Sequence, residues 1–182
     1  MAKWWKNEMK LIYNDLCIRN AEEKDCLQLA TWWNDGNVMA HAGFPNGLKT
    51  TAKKIKEQIA TDSDNTKRRL VIEYKGTSIG EMSFYVYEGK KVEIGIKICN
   101  PDFQGKGLGR VLLSMLIEKL FSMGYELIFL NTNIKNTRAQ HVYELLGFKK
   151  TAINKDSWKN QLGELQTSVD YELKPSDFCN AK

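Results

Sequence analysis

The sequence predicts a single α/β (α+β) domain built on one central mixed sheet and flanked by about four helices. Three observations predict it. Period-two segments are separated by Lys-Gly and Glu-Gly turns, amphipathic segments of helical period are interspersed among them, and no repeat, low-complexity tract or Pro/Ser-rich linker divides the chain. At 182 residues the chain can bury a sizeable core.

Taken in order, Leu16 to Asn20 reads as a short strand. Glu22 to Asn34 reads as a helix with Leu27, Ala30 and Trp33 or Thr31 on one face. Gly36 to Gly47 is loop-like, carrying three glycines with Pro45 and Asn46, and a basic helix follows from about Thr50 to Ala60. Strands are expected at Arg68 to Tyr74, Ser78 to Tyr87 and Lys91 to Cys99, joined by turns at Lys75-Gly76 and Glu88-Gly89. In the last of these, Val92, Ile94, Ile96 and Ile98 share one face, while Glu93, Gly95, Lys97 and Cys99 share the other.

A helix from about Gly107 to Met123 has its apolar stripe at Leu108, Val111, Leu112, Met115 and Leu120. Glu126 to Asn131 is a short strand of the buried type. Asn136 can cap a helix running to Leu146, which Gly147 ends. Strands near Phe148 to Asn154 and Glu164 to Leu173 close the domain, which spans residues 16–174. Residues 1–15 are read as an N-terminal extension packing on or near it, in which Trp4 and Trp5 fold back or support a dimer contact. Residues 175–182 are read as a C-terminal tail.

Composition narrows the function classes. Hydrophobic residues make up 42% and charged residues 27%, as in ordinary globular proteins. The formal charge of +5 suits an anionic ligand but is too small and dispersed for nucleic acid. Cys17, Cys26, Cys99 and Cys179 form no C-x-x-C pair and only two histidines accompany them, so free thiols are expected and no metal site. The longest apolar run, Val111 to Ile117, is too short to span a bilayer, and a cytoplasmic protein without membrane contact is expected.

Asn100 to Arg110 carries the chemistry, reading N-P-D-F-Q-G-K-G-L-G-R. Pro101 ends the strand, and Gly105, Gly107 and Gly109 let the backbone approach a ligand just where an amphipathic helix presents its unsatisfied N–H groups. With the helix dipole and the charges of Lys106 and Arg110, this is a site for phosphate or pyrophosphate. Neither the P-loop pattern nor the dinucleotide G-x-G-x-x-G is matched; the spacing is G-x-G-x-G.

Gln104 to Gly109 resembles the Q/R-x-x-G-x-G/A pyrophosphate motif of the GNAT superfamily of N-acetyltransferases. The strand E-I-G-I-K-I resembles that family's central strand, and Asn136 to Phe148, N-T-R-A-Q-H-V-Y-E-L-L-G-F, its second signature. Trp32 to Met39 looks like the first helix and turn of the branch containing ribosomal-protein N-terminal acetyltransferases. The resemblance implies a mostly antiparallel sheet splayed between its fourth and fifth strands, with acetyl-CoA as co-substrate. Pantetheine would enter along the backbone of Ile96, Lys97 and Ile98 up to Asn100, near Asn131, Asn136 and Ala139. The pyrophosphate would rest on Gln104, Gly105, Lys106, Gly107, Leu108, Gly109 and Arg110.

Acyl transfer to an amine needs a neutral amine, a polarised carbonyl and a proton for the thiolate. An alkylamine of pKa about 10 is mostly protonated at neutral pH, so a carboxylate is needed to take its proton. Glu93 stands where the family often carries its base, and Tyr143 at the family's acid position, where it also borders the cofactor. A backbone N–H near Ile98 would hold the carbonyl oxygen. Trp33, His41 and Phe44 are the candidate acceptor contacts. His141 reads as a surface residue of its helix, and Cys99 as a small buried residue. The implied acceptor is a small-molecule amine or a protein N-terminus, the implied assembly a homodimer. The alternative is a non-catalytic acyl-CoA-binding module.

Overall fold

The computed structural model describes residues 9–182; Trp4 and Trp5 lie outside the described residues. Eight strands form one sheet: β1 (Lys10–Tyr13), β2 (Leu16–Asn20), β3 (Lys67–Tyr74), β4 (Thr77–Tyr87), β5 (Lys91–Ile98), β6 (Leu127–Asn133), β7 (Lys149–Lys159) and β8 (Leu165–Leu173). Their order is β1-β2-β3-β4-β5-β6-β8-β7. Every neighbouring pair is antiparallel except β5 with β6, which a helical crossover joins. The helices are α1 (Cys26–Asn34), α2 (Gly36–Met39), α3 (Ala52–Ile59), α4 (Leu108–Ser122) and α5 (Thr137–Leu145).

Two elements differ from the sequence reading. Lys10–Tyr13, placed there in the N-terminal extension, is the sheet's edge strand, running from Lys10 opposite Arg19 to Tyr13 opposite Leu16. Leu11 and Tyr13 pack against the core while Ile12 faces outward, an alternation too short to stand out in four residues. The stretch after Asn34, read as loop, contains α2. Asp35 caps it by accepting from the Asn37 N–H at 2.8 Å, and a helix this short has no apolar period to detect.

The sheet buries both faces. On one, α4 and α5 cover Leu70, Ile72, Met82, Phe84, Val92, Ile94, Ile128 and Leu130. On the other, α1 and α3 enclose Val71 and Cys99. α1 docks through Cys26, Leu29 and Ala30, spaced three and four apart, so Leu27, expected on that face, points to solvent at 72% exposure. Arg19 on β2 fixes the entry to this helix by pairing with Asp25 at 2.7 Å and Glu73 at 2.8 Å. α4 is buried over more of its circumference than its predicted stripe. Leu113, Ser114, Leu116 and Ile117 are enclosed as well, because the C-terminal segment packs across it, with Phe178 against Phe121 and the Ala181 N–H donating to Ser114 Oγ.

β4 carries an irregularity at Ile79, whose carbonyl accepts from both Cys99 (2.9 Å) and Asn100 (3.0 Å). This turns the end of β5 out of the sheet, as bulges near functional sites do. The neighbouring Gly80 lies so close to β5 that an added Cβ would sit 2.2 Å from the Lys97 carbonyl oxygen. Gly80→Ala is therefore expected to cost about 1–3 kcal/mol by overpacking, lowering the midpoint of thermal unfolding by about 2–12 °C in a calorimetric scan.

Candidate active site

The parallel ladder between β5 and β6 lasts only from Lys91 opposite Leu127 to Glu93 opposite Phe129. β5 then stays on β4 and β6 on β8, so the two strands diverge. These are the fourth and fifth strands of the sequence reading, and the splay lies between them. It opens a cleft of about 930 Å³. The Cys99 N–H points back to Ile79, so by strand alternation the Ile98 N–H and C=O face the splay. The Ile98 carbonyl accepts from Gln104 Nε2 at 2.8 Å, which ties the glycine loop to the strand end.

Pro101–Phe103 forms a single tight turn, opened by Asn100, whose side chain accepts from the Asp102 N–H at 3.0 Å. Gly105 (φ +75°) and Gly107 (φ +76°) both take the left-handed conformation that side-chain-bearing residues disfavour. The chain then enters α4 with its first N–H groups at the cleft, where Gly105, Gly107, Leu108, Gly109 and Arg110 form the wall. Arg138, which sequence reasoning did not single out, reaches the same loop; its Nη2 lies 3.5 Å from where a Cβ on Gly105 would be. Lys106 does not line the cleft, and its ammonium sits 5.5 Å from the Phe103 ring centroid. Backbone amides, a helix N-terminus and two guanidinium groups fit a pyrophosphate.

The opposite wall comes from β6 and α5. Asn136 caps α5 by accepting from the Ala139 N–H at 3.3 Å and reaches Thr132 Oγ1 at 3.4 Å. Asn131, Asn136, Ala139 and Tyr143 line the cleft opposite Ile96, Lys97 and Ile98. His141 lines it too. Tyr143 is buried against Phe148 and Tyr171, at ring-centroid distances of 5.8 and 5.7 Å, and burial pushes its phenol up to about 12.

On the far side of the sheet, the mouth of the cleft is formed by Asn37, Val38, His41 and Ala42, with Trp158 and Ser168 opposite. Of the three candidate acceptor contacts, only His41 is there. Trp33 is spent on structure: its Nε1 donates to Glu81 Oε1 at 2.8 Å under the Arg69 guanidinium. Phe44 lies off the cleft, with its N–H on the Met39 carbonyl. Glu93 sits at the last residue of β5 paired with β6, off the cleft wall, and accepts from the Tyr87 hydroxyl at 2.9 Å. Cys99 is buried, which pushes its thiol up to about 12 and leaves it unreactive at neutral pH. Trp158 and Ser168 carried no local signal, because long strand pairings bring them to the site. β7 runs to Lys159 rather than ending near Asn154, and so delivers Trp158.

Residues 15–149 match the family model described as acetyltransferase (GNAT) domain. The chain is 32% identical over 145 residues to the L-amino acid N-acyltransferase MnaT of Escherichia coli, covering 75% of this chain and 81% of that protein. It spans less than half the length of two other curated relatives. One is the mycothiol acetyltransferase of Cellulomonas flavigena, with 26% identity over 132 residues, 67% of this chain and 38% of that protein. The other is a ribosomal protein bS18-alanine N-acetyltransferase of Salmonella typhimurium, with 38% identity over 64 residues, 35% of this chain and 43% of that protein. In three dimensions, spermidine N-acetyltransferase from Vibrio cholerae in complex with CoA and spermine superposes with a TM-score of 0.79 at 23% identity, covering 91% and 98% of the two chains. With the splay, the glycine loop and the second signature all in place, the chain belongs to the GNAT acetyltransferase family.

Proposed function

We propose that this chain is an acetyl-CoA-dependent N-acetyltransferase acting directly on a primary amine of a small molecule or a protein N-terminus. The observation that carries it is the continuity of one cleft. The same cleft is lined by the glycine loop with Arg110 and Arg138, by the edge of β5 that β6 leaves, and by Asn37, Val38, His41, Ala42 and Trp158. A pantetheine-length ligand and an amine can therefore meet end to end without a covalent enzyme intermediate.

Acetyl-CoA would supply a thioester carbonyl open to attack and a thiolate that departs. Its pyrophosphate would be held by the amides of Gln104 to Arg110 with Arg110 and Arg138. The Ile98 N–H, turned into the splay, is the donor for the carbonyl oxygen. Tyr143 holds its proton more tightly than a free phenol, and more tightly than a thiol of pKa about 8.5. Its role is then a hydrogen bond to the charge developing on sulfur rather than outright proton loss. Glu93 does not touch the cleft wall, so its proposed role is to draw the ammonium proton away through water.

Ligand binding, turnover and pH dependence test this reading. Acetyl-CoA or CoA at a hundred times the dissociation constant should stabilise the protein by about 2.7 kcal/mol, raising the unfolding midpoint by about 5–10 °C, while ATP and NAD leave it unmoved. A module that only binds acyl-CoA gives this shift but releases no CoA with any amine. Tyr143→Phe should lower kcat by about 10²–10³ with acetyl-CoA binding retained. In the wild type, no alkaline loss from Tyr143 is expected until pH nears 12; stability from its buried neutral phenol is fully present below about pH 10 and fades only above it. Glu93→Gln should slow turnover at pH 7 and approach wild type near pH 10, where the amine is free without help; equal loss at both pH values removes Glu93 from the proton path.

A further inference from the structure

The charges around the cleft point to a narrower acceptor class, an inference that rests on the acetyltransferase reading above. Among the described residues no Asp or Glu lines the cleft, while Lys97, Arg110 and Arg138 do. The two arginines stand at the glycine loop, where phosphate chemistry accounts for them. Lys97 has no such explanation. Strand alternation puts its side chain on the opposite face from Ile96 and Ile98, the face that α1 covers.

Lys97 is held there by design of the neighbouring strand. It stands opposite Glu81 in the β4–β5 ladder, and its Nζ lies 3.2 Å from Glu81 Oε1. The same carboxylate accepts from Trp33 Nε1 at 2.8 Å. The Glu81 side chain is 10% exposed and that of Lys97 34%, and of the two only Lys97 lines the cleft. An ammonium has three donors, and Glu81 takes one.

The other carboxylates on this side are committed elsewhere. Asp35 caps α2 through the Asn37 N–H, Asp170 accepts from Asn154 Nδ2 at 2.7 Å, and Glu93 is bonded by Tyr87. An acceptor amine arrives mostly protonated at neutral pH, so a purely cationic acceptor meets the like charge of Lys97 on this wall, with Glu93 in reach only through water. An acceptor that brings its own carboxylate meets a partner instead. Of the other groups at this mouth, Val38, Ala42 and Trp158 offer an apolar surface for a side chain, beside the polar Asn37, His41 and Ser168.

We propose that the acceptor is a small amine bearing a carboxylate within a few bonds, of the α-amino-acid kind, and that Lys97, positioned by Glu81, is the residue that recognises the carboxylate. A polyamine or the N-terminus of a protein without an adjacent acidic group lacks that feature.

The test is CoA release from the full chain with L-leucine, L-leucinamide and spermidine as acceptors. Leucinamide keeps the side chain and the amine but has no carboxylate. Its amine is less basic and so more of it is unprotonated at pH 7, which means a preference for leucine runs against intrinsic reactivity. Leucine is expected to exceed both others at least tenfold in kcat/KM. Lys97→Met should collapse the leucine-to-leucinamide ratio to near one while KM for acetyl-CoA stays within a few-fold, and Lys97→Arg should keep the ratio. That ratio is internal to each variant, so a partly unfolded preparation does not alter it. Leucinamide or spermidine used as well as leucine, or a ratio untouched by Lys97→Met, overturns the carboxylate proposal and leaves the acetyltransferase standing. Failure to acetylate any of the three together with no thermal shift from CoA overturns the acetyltransferase reading, and this proposal with it. Failure with the shift intact overturns the amino-acid class alone.

Discussion

Everything at the site depends on a parallel strand pair that stops early. Three residue pairs of β5 and β6 are enough to lock the sheet's two halves in register, with Val92 and Ile128 fully buried at the junction. Beyond them β5 keeps one edge bonded to β4 and leaves the other free. An unpaired strand edge in a folded protein is normally a liability that must be covered. Here it offers backbone groups of β5 to something that enters the cleft, which is what an extended, amide-containing arm requires.

The crossover helix turns that opening into a directed site. Because β5 and β6 run parallel, the chain must travel back along the sheet between them, and α4 makes that journey with its N-terminus at the mouth of the splay. The loop's left-handed glycines, the Gln104 tether to Ile98 and the helix dipole therefore follow from one topological fact. Packing reinforces it. α4 is buried on one side by the sheet and on another by the C-terminal segment, so its axis has little freedom to tilt.

How far the sequence could be read varied with the range of the interaction. The alternation of β5, the glycine spacing and the Asn136 cap are local, and each was legible from a few consecutive residues. The splay was legible only through the family resemblance, because nothing local says where a ladder ends. Glu93 is the instructive case. Its position in the motif matches, yet whether a strand side chain reaches the cleft depends on where the neighbouring strand departs, and that happens one residue too late for it. Trp33 lies off the cleft for a related reason: the buried Glu81 needs a donor, and the indole N–H supplies it. Trp158, Ser168 and Arg138 came from strand register and from a rotamer, neither of which leaves a mark in the sequence.

The C-terminal segment has a mechanical meaning. The Ala181 N–H is bonded to Ser114 in the middle of α4, and the Cys179 N–H to the Leu146 carbonyl at the end of α5. The two helices that flank the cleft from behind are thus stitched together by residues more than thirty positions downstream of either contact, with Phe178 wedged on Phe121 between them. Tension applied at Lys182 is carried to the helix whose first turn lines the cleft. A tether for surface immobilisation or single-molecule pulling therefore loads the walls of the cleft from that end.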